Sequence, residues 1–444
     1  MRLIKGGVLP LLLLSVSTAV LAEDAPATEP KPLPEPLTLE QAMSMADEPH
    51  PDLVVSEAQL DEAQALKRSV DADNDTTAIL QGTLRYIDPP SFAPVQTHND
   101  SEAALIVRKE LYDFGRSEAL SNAADSDVNS QRFLYVDAKK KRRLEIMRRF
   151  FDVLLADLQF YRYNEEMAVE YVELDRRRDR RELGQLSDYA VLEQESKYQR
   201  VRYLRYDSQN QQRQTRARLA QALNRPGQLP STLTVPKLKV LDRKLPEVET
   251  LQKAAVENNA RLNALRARVT AAEQRIAAAK GVDNATITGQ LEAYDYAHQR
   301  NASDDNFRAS VVLEVPLFAG DREDAAVAKA RATAYRLRAQ LHQAEYQVRQ
   351  EVLETWLQLD ALRVQREQMR ALQDFRELNL DRSRALYEME VKADLGDSMV
   401  QVTEAQYLAK QTDYKMALAW ERMEDLTDYD FSQPVQQKDE QTQN

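Results

Sequence analysis

The side chains that most often make and break bonds are scarce in this chain. It has no cysteine, which removes a thiol nucleophile, a thiolate metal site, a disulfide framework and a Cys-linked lipid anchor. Its four histidines are His50, His98, His298 and His342, and none sits in an H-E-x-x-H or H-x-x-x-H pair. Each reads as an ordinary loop or helix-surface residue. A phosphate loop, a dinucleotide fingerprint and a nucleophile–base motif are all missing. These residues point to no enzyme, no cofactor and no metal. What remains is the chemistry of fixed charge and helix capping, concentrated in two related segments. GQLSDYAVLEQE (184–195) and ADLGDSMVQVTE (393–404) align Leu186 with Leu395, Asp188 with Asp397, Val191 with Val400 and Glu195 with Glu404. Gly184 and Gly396 supply backbone freedom there. Ser187, Asp188 and Asp397 are the residue types that cap a helix start or place an acid in its first turn.

Just before the first segment, DRRRDRRELGQ (175–185) holds Arg176, Arg177, Arg178, Arg180 and Arg181. Arg177 and Arg181 share a helix face, and Arg177 is spaced to pair with Glu173. One reading is a solvated, salt-bridged face. The other is a clamp on neighbouring acids, or a contact for an acidic partner. KKKRR (139–143) reads as a solvated helix face. The net charge of -12 argues against nucleic acid as a partner.

The elements that must position these residues are long. No Gly or Pro occurs between Gly115 and Gly184, or between Gly320 and Gly396. Each gap predicts a helix of roughly 100 Å at 1.5 Å per residue, far beyond a globular helix, so it needs coiled-coil or tubular packing. Leu337, Leu341, Ala344, Val348, Val352, Trp356 and Leu359 recur every three or four positions, as do Phe150, Val153, Leu154, Leu158 and Tyr161. Such stripes are helix-packing seams. Before each long helix come two alternating stretches. The clearest sets Phe307, Ala309, Val311, Leu313, Val315 and Leu317 against Arg308, Ser310, Val312 and Glu314. An apolar face opposite a polar one is the pattern of an outer-membrane barrel strand. Four strands do not close around a channel, so several copies must share one barrel.

The N-terminus reads as a secretory signal: Arg2 and Lys5, an apolar run at 8–20, then small residues at 20–22. No later segment approaches a membrane-spanning apolar helix. KELYDFGRSEALSNAA (109–124) parallels EVPLFAGDREDAAVAKA (314–330), and LTLEQAMSMADEPHPDL (37–53) parallels VETLQKAAVENNARL (248–262), in the same order as the tip segments. The two halves therefore read as copies. The expected layout is a signal peptide (1–22), a Pro-rich linker (23–36) and a first repeat (37–224). That repeat has strands near 76–87 and 103–111 and helices near 118–183 and 188–223. A linker (225–247) leads to the second repeat (248–427), with strands near 285–296 and 307–317 and helices near 322–391 and 397–426. A polar tail (428–444) follows.

The strand ending VPLFAGDREDAAVAKARA, the matching LYDFGRSEALSNAA and the paired tips GQLSDYA and ADLGDSM resemble the TolC family of outer-membrane efflux and secretion ducts, over about residues 37–427. The resemblance implies an α+β membrane protein. Each chain of a homotrimer would give four strands to a twelve-stranded barrel in outer-membrane lipid, with the long helices forming a periplasmic tunnel. It implies a periplasmic adaptor and an inner-membrane pump as partners, and a passive export role. Under it, Gly184, Ser187, Asp188, Gly396 and Asp397 lie at the periplasmic entrance, and Gly115, Pro316 and Gly320 lie at the joint of barrel and tunnel. The family's last tip Asp is here Ala190 and Met399, so Glu390 and Asp394 are the acids placed to substitute for an acidic ring. Arg177 and Arg181 are the candidate clamp or adaptor contact. The competing reading is a periplasmic coiled coil, structural or adhesive, without a pore.

Overall fold

The two Gly- and Pro-free gaps form helices of equal length. In the computed structural model, which describes residues 32–91, 96–297, 305–389, 394–429 and 431, α3 (Arg116–Glu182) and α7 (Arg322–Glu388) each have 67 residues. The expected signal peptide, most of the Pro-rich linker, His298, Glu390 and most of the polar tail lie outside the described residues. Ahead of α3 come α1 (Leu39–Ser44), a 3-10 turn, α2 (Pro51–Ala72), β1 (Thr77–Thr83) and β2 (Glu102–Tyr112). After it come α4 (Asp188–Ala222), a second 3-10 turn, α5 (Val248–Asn258), α6 (Ala260–Lys280), β3 (Thr286–Tyr296) and β4 (Phe307–Glu314). Helices α7 and α8 (Leu395–Thr427) finish the described chain.

Helix starts follow their capping residues. Thr38 and Gln41 form a reciprocal capping box at α1. His50 caps α2 with Pro51 in the first turn, and Asn259 caps α6.

The four strands form one antiparallel sheet in the order β1-β2-β3-β4. Two strands are shorter than their alternation predicts. β1 stops at Thr83 rather than 87, and its ladder resumes only as the isolated Tyr86–Asn99 bridge. There the Ser101 hydroxyl accepts from the Arg85 N–H at 3.3 Å, and the Asn99 side chain accepts from the Ser101 N–H at 3.1 Å. Side chains thus take donors that the ladder needs. β4 ends at Glu314 rather than 317, because Pro316 has no N–H to give and restricts the residue before it.

Adjacency of the helices changes along their length. In the half nearer the sheet, α3 packs on α2 and α6, and α6 packs on α7. In the far half the order is α4-α3-α8-α7, and among the described residues α4 packs on no helix but α3. The core lies midway along the long helices. Phe150, Phe151, Leu219, Leu251, Leu262, Val352, Leu359, Trp420 and Met423 are buried together there, and Phe151 stacks on Tyr414 with ring centroids 4.4 Å apart. Arg142, itself buried, ties this belt to the 3-10 turn that follows α1 by donating to the Ala46 carbonyl at 2.8 Å.

Near the belt, burial pushes the Asp425 carboxyl up to about 7, helped by the charge of Glu421 and opposed by Lys140 and Arg143. The folded chain then holds a proton that the unfolded chain, at 3.8, releases. Stability from this group is full below pH 4 or so and is lost as pH rises through about 7. Asp425→Asn is therefore expected to raise the melting temperature at pH 8 and to leave it unchanged near pH 4. Equal melting of both proteins at pH 8 would show that the carboxylate is solvated.

Candidate functional site

The sequence-predicted residues fall at two ends of the molecule. At the far end, α3 closes in a Schellman motif: the Gln185 N–H bonds the Arg180 carbonyl at 2.8 Å and the Gly184 N–H bonds the Arg181 carbonyl at 2.9 Å. The motif needs a left-handed residue, and Gly184 has φ +73°. Three residues on, Ser187 caps α4 through the Ala190 N–H at 3.4 Å, and Asp188 is the acid of its first turn.

The arginines brace this hairpin. Arg177 donates to Glu173 at 3.0 Å and to the Ala190 carbonyl at 3.3 Å, and lies 3.9 Å from Glu193. Arg178 reaches Glu195 at 3.4 Å, and Arg181 lies 3.6 Å from Asp188. Arg176 pairs back to Glu173 at 3.2 Å. Three arginines therefore span from α3 to α4, a partnership invisible in a linear reading of the cluster.

At the second tip, Asp394 is the N-cap position of α8 and Asp397 lies in its first turn; Glu390 is outside the described residues. Burial raises the Asp397 carboxyl above its ordinary range, and the charge of Asp394 adds to this while Arg376 opposes it. Gln401 donates to Asp397 at 2.5 Å. Gly396 is not a turn glycine. It is helical, and a Cβ there would meet both Val169 methyls at 2.9 Å. Its role is close approach of α8 to α3, not backbone freedom. Gly396→Ala is expected to speed amide exchange in the first two turns of α8, at a cost of about 1–3 kcal/mol, and Val169→Ala in the same chain should restore protection. Unchanged exchange in the single variant would show that α3 and α8 are not tightly docked there.

Sequence reading missed what lies just above. Glu166 and Glu170 of α3 sit near Glu404 of α8, with Arg162 at 2.9 Å from Glu404. Burial raises the Glu166 carboxyl, against the pull of Arg162 and Arg200. Glu404 was visible only as a repeat match to Glu195.

At the other end, both long helices begin beside the sheet. Gly115 (φ +87°) and Gly320 (φ +69°) are left-handed, and Phe114 shares that conformation at φ +56°. Asp113, unnoticed in the sequence, fastens the first joint by accepting from the Gly115 N–H at 3.1 Å and the Ser117 N–H at 2.5 Å. Pro316 lies past the end of β4. Arg322 of α7 donates to Asp283 at 2.8 Å.

The sheet register settles which residues share a face. Leu80, Leu105, Ala293 and Phe307 align across the four strands, as do Ala78, Val107, Leu291 and Ala309. The opposite face carries Ile79, Ile106, Glu292 and Arg308 in one row and Arg108, Gln290 and Ser310 in another. Glu292 is only 8% exposed; it accepts from Tyr294 at 3.0 Å and from Arg308 at 3.4 Å. Leu80, Phe307, Val311 and Leu313 are exposed on the apolar face. Among the described residues no helix is long and apolar enough to cross a membrane, and no group of three His, Asp or Glu is placed to hold a metal.

No family model and no curated protein matches this chain. Solved structures do. A structure of CusC, reported for changes accompanying folding and transmembrane channel formation, is 18% identical with TM-score 0.72, covering 88% of this chain and 91% of that one. The Campylobacter jejuni CmeC outer membrane channel is 13% identical with TM-score 0.73, covering 89% and 87%. The Vibrio cholerae outer membrane protein VceC is 16% identical with TM-score 0.67, covering 86% and 96%. At these identities the likeness speaks for architecture, and this chain has the fold of the TolC-like outer-membrane channels.

Proposed function

We propose that the chain is a passive trimeric channel-tunnel of the outer membrane, and that its two halves are tandem structural repeats. The observation that carries this is an open sheet with one exposed apolar face and one polar face. Its edges, β1 and β4, are unpaired among the described residues. Four strands leave their edge hydrogen-bonding groups unsatisfied in lipid, where only closed barrels span. Three copies supply twelve strands. The helical tiers repeat the arrangement: α2 and α7 flank the barrel half, and α4 and α7 flank the far half. In this reading the apolar face meets lipid, and the row of Glu292 and Arg308 faces the lumen. The competing pore-free coiled coil gives no reason for an exposed apolar sheet.

No bond is made or broken in such a duct. An inner-membrane pump supplies energy, and a periplasmic adaptor joins pump to tunnel. The Gly184 and Gly396 tips form the entrance. Arg177 and Arg181 brace the α3–α4 hairpin whose tip meets the adaptor. Asp394, with Glu390 beyond the described residues, supplies the entrance charge.

Planar-bilayer recording of the purified protein tests this. Discrete conductance steps are expected, with cation preference reduced by Glu390→Gln and Asp394→Asn together. Absence of discrete steps under all conditions would sink the channel reading.

A further inference from the structure

The apolar face of the sheet is not smooth. A groove of about 450 Å³ crosses it, lined by Val107, Lys109, Gly289, Leu291, Ala309 and Val311. The register explains it. Lys109, Gly289 and Val311 form one cross-strand row, and Val107, Leu291 and Ala309 form the next. Gly289 has no side chain and Ala309 has only a methyl, so the taller residues around them become walls. The tunnel-side end is closed by Leu111. The bulge between Glu110 and Tyr112 turns its side chain over Gly289, where a Cβ would meet Leu111 Cδ1 at 3.3 Å.

Lys109 is the one cation among the strand residues on this face, and no ion pair to it is found among the described residues. It lies within a turn's length of the end of β2, where α3 is about to begin. Exposed Tyr112 and Phe114, with ring centroids 4.7 Å apart, follow at the end of β2. Aromatic side chains at the edge of an apolar band mark the lipid–water boundary. A lysine there lays its stem along apolar surface and holds its ammonium at headgroup depth.

We propose that this groove binds an anionic phospholipid of the periplasm-facing leaflet, one acyl chain in the channel between Val107 and Val311 and the headgroup phosphate on Lys109 Nζ. The proposal rests on the reading that this face meets lipid. Charge complementarity selects the headgroup, and the tunnel-side position selects the leaflet. The phosphates of lipid A lie in the opposite leaflet, at the far end of the strands.

The test is native mass spectrometry of the detergent-purified assembly after equilibration with phosphatidylglycerol, phosphatidylethanolamine or lipid A. Wild type is expected to retain phosphatidylglycerol after phosphatidylethanolamine has been stripped. Lys109→Gln should lower that retention about fivefold, the factor for one cation near an anionic surface. Ala309→Leu, which fills the groove and keeps the charge, should lower it as well. Three results each overturn the proposal: unaltered retention in Lys109→Gln, equal retention of the zwitterionic lipid by wild type, or preferential capture of lipid A. Bilayer conductance of the same samples separates the two readings. Channels without lipid preference sink only the lipid site, whereas loss of channels in wild type sinks the barrel itself.

Discussion

If the chain assembles as the proposed trimer, a variant carrying Phe375→Asp and Leu378→Asp is expected to run as a monomer in detergent. Helix α7 has two seams. Val348, Val352, Thr355, Leu359, Leu362, Met369 and Ser383 are buried at heptad spacing. A second heptad series, Leu357, Ala361, Val364, Ala371, Phe375, Leu378, Ala385 and Met389, is exposed along the same helix. Among the described residues α7 packs in its far half on α8 alone, so the second seam is left uncovered there. The complementary edge is α4, which exposes Tyr189, Leu192, Tyr203 and Tyr206, also at heptad positions. α4 leaves its tip as α7 arrives at the other, so the two edges are antiparallel and level. Each buried Phe or Leu contributes about 1.5–3 kcal/mol, and a carboxylate in its place must also be desolvated. With two such losses at each of three joints, dissociation should be complete at micromolar protein. Far-UV circular dichroism should not change, because neither side chain faces α8. Gln365→Asp, off the seam, should leave the trimer intact. Persistence of the trimer in the double variant would place the joint elsewhere.

Trp420→Ala should be the most destabilising single change, at about 3–5 kcal/mol. Trp420 is 0% exposed, at the centre of the belt where α1, α3, α5, α7 and α8 meet, with Phe431 edge-on at 5.2 Å. Alanine leaves a cavity that long, mutually braced helices fill poorly. Trp420→Phe makes a sharper test. The indole Nε1 is buried without a hydrogen-bond partner among the described residues. Phenylalanine loses volume but also removes an unpaired donor, itself a cost of about 1–3 kcal/mol. The phenylalanine variant should therefore melt close to wild type in heat-induced dissociation, and the alanine variant far below. A large loss in both would mean that the indole N–H is satisfied after all.

Much of this molecule was legible residue by residue. Absence of Gly and Pro is a local property, and it sets helices as long as α3 and α7. Alternation is local too, and it separates the apolar and polar faces of β3 and β4. The left-handed glycines at 115, 184 and 320 are local requirements of turns. The strand ends were overestimated because alternation says nothing about which donors the ladder keeps: Pro316 and the side chains of Asn99 and Ser101 decided them.

The remaining features needed partners distant in sequence. A heptad stripe says that a helix packs, not on what, so the order α4-α3-α8-α7 and the exposed second seam of α7 exist only in three dimensions. Gly396 looks like a turn residue until Val169 of α3 is placed against it. The arginines near residue 178 read in sequence as a salt-bridged face or a clamp on neighbouring acids, and only α4 identifies those acids as Glu193, Glu195 and Asp188. Lys109 is one lysine in a strand until strand pairing sets Gly289 and Ala309 beside it. The elements and their faces are written along the chain, since they depend on neighbours a few bonds away. The contacts between faces arise on folding, since they depend on register and depth across hundreds of residues.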